Sequence, residues 1–209
     1  DTTGLLVVAK SDRAHHGLAA QFEAHSVTRA YLAVVFGLPS AADPRLRGTR
    51  GISFEPGGVI RIATHLARHR TDRQKQAVVW EQGRHAVTRV RVLQSFGGGV
   101  AALVECWLET GRTHQIRVHM KHIGHTLFND WEYGGDKILK GTIYTKYKQF
   151  VENCFDVCAR CALHAQTLGF IHPVTGATHH FASPTPVDMR ELIVELCAEG
   201  HDAKVLGVL

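Results

Sequence analysis

The stretch LETGRTHQIRVHMKHIGH, which runs from Leu108 to His125, mixes apolar residues with many side chains that donate hydrogen bonds. We predict a helix here, capped by Thr113 and ended by Gly124 in the left-handed conformation. The apolar row of this helix, three residues at helical spacing that we expect to pack on the core, consists of Ile116, Met120 and Ile123.

A second row of residues on the same predicted helix is basic. His114, Arg117 and Lys121 fall at i, i+3 and i+7, so their side chains project from one face. With the apolar row buried, the helix presents these hydrogen-bond donors on another face.

Strand patterns on both sides of this helix predict an α+β domain, with a mixed, mostly antiparallel sheet flanked by helices. The apolar run Thr3–Lys10 predicts a buried first strand, and the β-branched and aromatic run Thr28–Pro39 predicts a second. The alternating segment His85–Phe96, the glycines Gly97–Gly99 and the apolar segment Val100–Thr110 predict a hairpin.

Composition bounds the architecture, the partner and the compartment. The 209 residues suit one core, so we predict a single domain over residues 1–209. A net charge of +5 and a pI of about 9.1 are compatible with a polyanionic partner, although many solvated surfaces are as basic. We predict no membrane span and no signal peptide. Five cysteines without a secretory signal indicate free thiols in a reducing, cytoplasmic environment.

The cysteine-rich segment raises the possibility of a structural zinc site. Cys158 and Cys161 have the C-x-x-C spacing of zinc ligands, with Cys154 and His164 nearby. A zinc ribbon needs a second such pair, which the sequence lacks, and cysteine is commonly buried in helices. We therefore favour buried thiols and predict no metal site.

Other motifs for metal or phosphate chemistry are absent from the sequence. His119, His122 and His125 recur every three residues, but no carboxylate completes an H-E-x-x-H motif, which favours solvent-facing or phosphate-contacting histidines. No G-x-x-x-x-G-K-[ST] loop and no G-x-S-x-G turn occurs, so neither a P-loop nucleotide site nor an α/β-hydrolase serine is supported.

Six segments occur in an order that is typical of one known family. They are DTTGLLVVAKSDRAHHGLAAQF, TRAYLAVVFG, RHRTDRQKQAVV, GRHAVTRVRVLQSF, LETGRTHQIRVHMKHIGHTLFND and RCALHAQTLGFIHPVTG. The chain closely resembles the RluA/RluD family of pseudouridine synthases, which modify ribosomal large-subunit RNA. The resemblance extends from Asp1 to about Leu196, and GRTHQIR together with ALHA and HPVTG is a specific combination.

The resemblance implies an isomerase that acts on a uridine within RNA without a cofactor or a metal. Such an enzyme breaks the N-glycosidic bond, rotates the base and rejoins it through C5. A catalytic aspartate acts at the ribose, and an arginine that matches Arg117 pairs with it and orients it. A tyrosine that matches Tyr31 packs on the flipped base and is a candidate for proton removal at C5. The residue pattern alone favours Tyr31 as a core aromatic.

The chain departs from the family pattern at its first residue. The family's motif is H-R-L-D-x-D-T-[ST]-G, and Asp1 aligns with its second aspartate. The resemblance therefore implies that the catalytic aspartate lies two positions upstream. We expect residues 1–209 to be an N-terminally truncated catalytic domain without an S4-like domain, inactive by itself, with uncompensated positive charge around Arg117.

The partner implied by the resemblance is large-subunit, 23S-type ribosomal RNA, bound by a monomer. The alternative is a non-catalytic RNA-binding fragment or module, which rests on the basic row and on the missing nucleophile. Under both hypotheses we expect the same residues to bind RNA: Arg73, Lys75, Arg112, His114 and Lys121.

Overall fold

The structure is a computed structural model, and it describes residues 2–137 and 145–198. This part of the chain forms one sheet of nine strands with four helices. The strands are β1 (Thr3–Gly4), β2 (Thr28–Phe36), β3 (Ile52–Glu55), β4 (Val59–Arg68), β5 (Gln76–Val79), β6 (Arg84–Phe96), β7 (Ala101–Leu108), β8 (Leu163–Ile171) and β9 (Thr178–Ala182). The helices are α1 (Asp12–Glu23), α2 (Gln115–His122), α3 (Thr145–Val157) and α4 (Val187–Ala198).

The sheet is mixed and mostly antiparallel, which confirms the predicted α+β class. Its strand order is β1-β8-β2-β7-β6-β4-β3, with β5 paired to β4 and β9 paired to β8. Within the described ranges, β1 and β8 are parallel and the other pairs are antiparallel. Strands β6 and β7 form the predicted hairpin, with Phe96 opposite Ala101. No helix in these ranges is long and apolar enough to cross a membrane.

Alternation along β2 gives the sheet two packed faces. Leu32, Val34 and Phe36 pack with residues of α3 and α4. Ala33 and Val35 face the other way and pack with the apolar row of α2, which is buried as predicted. Because both of its faces are covered, β2 has an almost continuous apolar sequence. Helix α2 therefore lies on the face of the sheet opposite to α3 and α4.

The first strand is much shorter than the predicted Thr3–Lys10. Only Thr3–Gly4 pairs with β8, and beyond it Leu6 is 85% exposed and Val8 is 73% exposed. A Cβ on Gly4 would lie 2.2 Å from the carbonyl oxygen of Ala165, and the φ of Gly4 is 100°, so the backbone crosses closely and then leaves the sheet. An apolar run indicates strand propensity, but pairing also requires a neighbouring strand.

Helix α2 begins at Gln115, later than a cap at Thr113 predicts. His114 occupies the N-cap position with a φ of 54°, and its side chain makes no capping hydrogen bond. The Gln115 side chain stabilises the preceding turn instead, because its Oε1 accepts from the Arg112 N–H at 3.0 Å and its Nε2 donates to a β6 carbonyl at 2.9 Å. Gly124 follows the helix with a φ of 78°, as predicted.

Candidate active site

A cleft of about 320 Å³ lies at the start of α2, beside β1, β2 and β8. Four of the seven predicted site residues line it: Tyr31, Arg112, His114 and Arg117. The structure thus brings both predicted catalytic residues into one cavity with two of the predicted RNA-binding residues. Apolar residues such as Leu163, together with Thr3 and Gly4 of β1, form much of the remaining wall.

Arg117 is held by two carboxylates that follow it in the sequence. Its Nε and Nη2 donate to the two oxygens of Asp130 at 2.8 and 2.6 Å, and Nη2 lies 2.5 Å from an oxygen of Glu132. Burial lowers the pKa of Arg117, but the hydrogen bond to Asp130 and the two negative charges outweigh burial and raise the pKa. The expected uncompensated positive charge is therefore wrong, because the guanidinium is already neutralised.

Both carboxylates belong to a tight turn, Leu127–Gly135, which we call the acidic turn. The Gly135 N–H donates to the Asp130 carbonyl oxygen at 2.7 Å, and the Asn129 side chain donates to the Cys158 carbonyl oxygen at 2.9 Å, next to the end of α3. A Cβ on Gly135 would lie 1.8 Å from the Leu127 carbonyl oxygen, so the turn closes only around glycine. The periodicity of the sequence does not reveal this turn, because its acids lie too far from Arg117 for helical pairing.

Tyr31 lies at the boundary between the core and the cleft. It packs at the edge of the cluster under α2 and also lines the cavity, so it fits the structural and the functional interpretation alike. The pairing of β2 with β8 shifts register between Ala30 and Tyr31, a bulge of the kind that redirects a side chain. Burial raises the pKa of Tyr31 more than the charge of Arg29 lowers it, so the phenol is protonated at pH 7.

A chain of hydrogen bonds connects the cleft with the β4–β5 hairpin. His114 Nδ1 lies 2.9 Å from the Tyr133 hydroxyl oxygen, which accepts from the Gln76 N–H at 2.9 Å. The Tyr133 ring centroid lies 4.9 Å from the Arg117 guanidinium carbon. Burial, and then the charge of Arg117, lower the pKa of His114, so its imidazole is neutral at pH 7. His114 therefore offers a hydrogen bond rather than a positive charge.

The other three predicted RNA-binding residues lie outside the cleft lining. Arg73 is exposed between β4 and β5, where Lys75 pairs with Asp72 at 3.0 Å. Lys121 is exposed on α2, with its Nζ 5.8 Å from the Tyr133 ring centroid. Tyr133 also accepts a hydrogen bond from the Gln76 N–H, so it contacts both Lys121 and the start of β5, next to Lys75.

Two of the regularly spaced histidines are buried, so the prediction of solvent or phosphate contact is wrong for them. His119 lies between the hydroxyl groups of Thr64 and Thr88, at 2.9 and 2.8 Å, and connects α2 to β4 and β6. His125 hydrogen-bonds the Phe36 carbonyl oxygen at 2.8 Å. Burial lowers the pKa of His119 to about 3 and also lowers that of His125. The spacing of three residues puts these two histidines beside the buried apolar row of the helix, so they face the core and not the solvent.

The cysteine-rich segment contributes to the core. Cys154, Cys158 and Cys161 are buried and form no disulfide, and burial raises the pKa of Cys161 to about 12. His164 lies in β8, and its Nδ1 contacts the Thr3 hydroxyl at 3.0 Å. Over residues 2–137 and 145–198, no three His, Cys, Asp or Glu side chains are placed to hold a metal ion.

The sequence pattern of the RNA pseudouridylate synthase family matches residues 1–122, more than half of the chain. The chain belongs to this family. The match includes β1, Tyr31 and Arg117, which all line the cleft. The predicted resemblance is therefore confirmed.

Curated relatives cover nearly the whole chain. Ribosomal large subunit pseudouridine synthase D of Zymomonas mobilis is 43% identical over 193 residues, which are 92% of this chain and 52% of that protein. The protein of the same name from Pseudomonas aeruginosa is 40% identical, over 92% of this chain and 53% of its own length. RNA pseudouridine synthase 2, chloroplastic, from rice is 39% identical, over 93% of this chain and 42% of that protein. The chain spans about half the length of these relatives.

Two solved human structures share the fold. RNA Pseudouridylate Synthase Domain Containing 4 has a TM-score of 0.63 and 22% identity, over 93% of this chain and 72% of that one. RNA Pseudouridylate Synthase Domain Containing 1 has a TM-score of 0.59 and 22% identity, over 86% of this chain and 63% of that one. The predicted pseudouridine synthase fold is therefore confirmed.

Proposed function

We propose that the protein isomerises uridine to pseudouridine in large-subunit, 23S-type ribosomal RNA. The observation that carries the proposal is the meeting of Tyr31 and Arg117 in one cleft, within the part of the chain that matches the family. In this reaction the bond between N1 and C1′ breaks and a bond between C5 and C1′ forms. C5 loses a proton and N1 gains one, so no cofactor, metal or net oxidation is required.

The proposed roles follow from the chemistry of the cleft. The target nucleotide leaves its stack and enters the cleft, where Tyr31 packs on the base and takes the C5 proton. Arg117 orients a carboxylate that acts at the ribose. We propose that this carboxylate comes from an H-R-L-D segment upstream of Asp1, so that residues 1–209 are an N-terminally truncated catalytic domain, inactive alone.

The proposed partner is RNA, bound by a cytoplasmic monomer. The exposed side chains of Arg73 and Lys121 support RNA binding, as do Arg112 and His114 in the cleft. Lys75, which is paired with Asp72, completes the proposed set. Phosphate contacts of this kind give affinity with little sequence information, so the choice of uridine depends on other contacts.

The test compares two proteins on large-subunit RNA, with pseudouridine located by chemical mapping. One protein consists of residues 1–209, and the other is extended by the natural coding sequence upstream of Asp1. We expect modification at a defined uridine by the extended protein and none by residues 1–209. A folded extended protein that modifies no uridine contradicts the proposed function, and activity of residues 1–209 contradicts the proposed source of the carboxylate.

The second candidate is a non-catalytic RNA-binding module, favoured by the exposed cations beside the β4–β5 hairpin. Under this hypothesis the extended protein binds ribosomal RNA with the steep salt dependence of phosphate contacts but forms no pseudouridine. Binding that is weak and independent of salt contradicts both candidates.

A further inference from the structure

We infer that Asp130 is a positioning residue for the reaction, because it fixes the orientation in which Arg117 meets the carboxylate of the cleft. The inference rests on the proposed function and assigns a role to a residue outside the cleft lining. Asp130 uses both carboxylate oxygens on Arg117, at 2.8 and 2.6 Å, and its side chain is 0% exposed. The pair is therefore shielded from water, and the guanidinium plane is fixed.

The edge of the guanidinium that Asp130 occupies determines which donors remain for the cleft. Asp130 contacts Nε and Nη2, and Glu132 contacts Nη2. Within the described part of the chain, neither acid accepts a hydrogen bond from Nη1. Because Arg117 lines the cleft, Nη1 can donate to a carboxylate there while Nε and Nη2 remain hydrogen-bonded to Asp130.

Asp130 is better suited to this role than Glu132. The Tyr133 N–H donates to its Oδ1 at 3.3 Å, and the backbone of the acidic turn fixes its position. Burial, and then the charge of Asp130, raise the pKa of the Cys161 thiol, in the segment before β8, to about 12, so it keeps its proton. Glu132 is 15% exposed and approaches Nη2, which already donates to Asp130.

The acidic turn therefore makes Arg117 a fixed set of donors rather than a source of net positive charge. Rate is sensitive to the placement of catalytic groups, and a displacement of about 1 Å can cost about 100-fold. Substrate binding depends on the separate phosphate contacts. Loss of Asp130 is thus expected to lower kcat and to leave the KM for RNA nearly unchanged.

The test is a double-mutant cycle on the extended protein, with kcat and KM measured on large-subunit RNA for Asp130→Asn, Arg117→Lys and the double variant. We expect Asp130→Asn to lower kcat about 10- to 100-fold, with KM within about twofold. If Asp130 acts through Arg117, the double variant is no slower than Arg117→Lys alone. The matched control is Asp43→Asn, which removes the charge of an aspartate that binds Arg45 through both oxygens outside the cleft lining; it is expected to change kcat less than threefold, about 0.65 kcal/mol.

Three results overturn the inference. They are an Asp130→Asn enzyme with normal kcat, a loss confined to KM, and losses that multiply in the double variant. If Asp130→Asn does not fold, Asp130→Glu takes its place; it keeps the charge but moves it, and normal kcat in that variant also overturns the inference. A folded wild-type protein that forms no pseudouridine overturns the proposed function itself, which separates the two failures.

Discussion

A lysine at position 117 keeps the positive charge of the arginine but loses the planar pair of donors that grips Asp130. We expect Arg117→Lys to lower turnover of the extended protein about 10- to 1,000-fold, because the orientation of the cleft carboxylate is lost. Stability is expected to fall by less than the roughly 3–5 kcal/mol that complete removal of one partner of a buried pair costs. Pseudouridine formation and urea unfolding measure the two effects.

Arg112→Lys is the matched control, since Arg112 lines the same cleft but donates from Nε to a backbone carbonyl at 3.1 Å. We expect its effect on turnover to be much smaller. Near-normal turnover of Arg117→Lys would show that the arginine is not an orienting group.

Tyr31 can act by packing or by proton transfer, and the pH dependence of the rate distinguishes these roles. Its pKa is raised by burial, so the phenolate that could accept the C5 proton is scarce at pH 7. If the phenolate is the base, kcat rises with pH throughout the neutral and mildly alkaline range. Tyr31→Phe removes both the rise and most of the activity. If kcat of the wild type does not change between about pH 7 and pH 9, Tyr31 acts only by packing and not as the base.

The acidic turn provides a test at the level of a structural element. Gly135→Ala places a Cβ 1.8 Å from the Leu127 carbonyl oxygen, so the turn must open and release Asp130 from Arg117. We expect a loss of stability above about 3 kcal/mol, in the range for a broken buried ion pair, together with a loss of activity.

The neighbouring Gly134 is the control, because it has a φ of 86° and open space around its Cβ position. Gly134→Ala is therefore expected to cost only the left-handed conformational penalty of about 1–2 kcal/mol. Thermal unfolding of both variants measures the difference, and equal costs would argue against a sterically closed turn.

The contact of α2 with the sheet makes stability depend on pH through His119. Its folded-state pKa is lowered to about 3 by burial, whereas the unfolded chain has the ordinary value of about 6.5. The unfolded state therefore binds the extra proton between these values. The free energy of unfolding is therefore not lowered by His119 above about pH 6.5. Below that pH it decreases by about 1.4 kcal/mol for each pH unit, until the folded-state pKa is reached.

Replacement of this histidine checks the assignment. His119→Gln cannot titrate, so its free energy of unfolding should change less steeply with pH between about 6.5 and 4, even if the variant is less stable overall. Identical slopes for His119→Gln and the wild type would contradict the assignment.

At the scale of the structural elements, local sequence patterns predicted the helices and strands, whereas long-range contacts decided where α2 starts and where β1 ends. The apolar row of α2 and the hairpin β6–β7 follow from periodicity, because each pattern repeats within its own segment. The start of α2 depends on a side chain, Gln115, that reaches across to β6. The exposed run after Gly4 depends on whether a neighbouring strand is available. Neither contact leaves a periodic signal in the sequence.

At the scale of the whole molecule, only part of the candidate site could be predicted from the sequence. Arg117 and Tyr31 follow from family motifs, whereas Asp130 and Glu132 meet Arg117 through a turn that is closed by Gly135 and anchored to the end of α3 by Asn129. Charge compensation in the cleft is thus a tertiary property. Sequence analysis finds the donors of such a site more easily than the acids that hold them.

The position of the exposed cations predicts how RNA affinity depends on salt. Arg73→Ala removes one exposed cation beside the hairpin and should reduce the slope of log K against log salt concentration by about one. Lys148→Ala is the matched control, because Lys148 lies on α3, across the sheet from α2, and pairs with Glu152 at 3.5 Å. Its slope should equal that of the wild type. Equal slopes for both variants would remove Arg73 from the RNA-binding surface.

The distribution of thiols offers a way to follow these reactions by fluorescence. Of the five cysteines, all of which lie in the described ranges, Cys197 alone is not buried. Burial raises the pKa of Cys106 and Cys161 to about 12, which keeps them unreactive. A maleimide dye should therefore attach to Cys197 on α4, across the sheet from the cleft, and report RNA binding without obstructing it. Slower labelling of the other thiols would then give the rate at which the core opens.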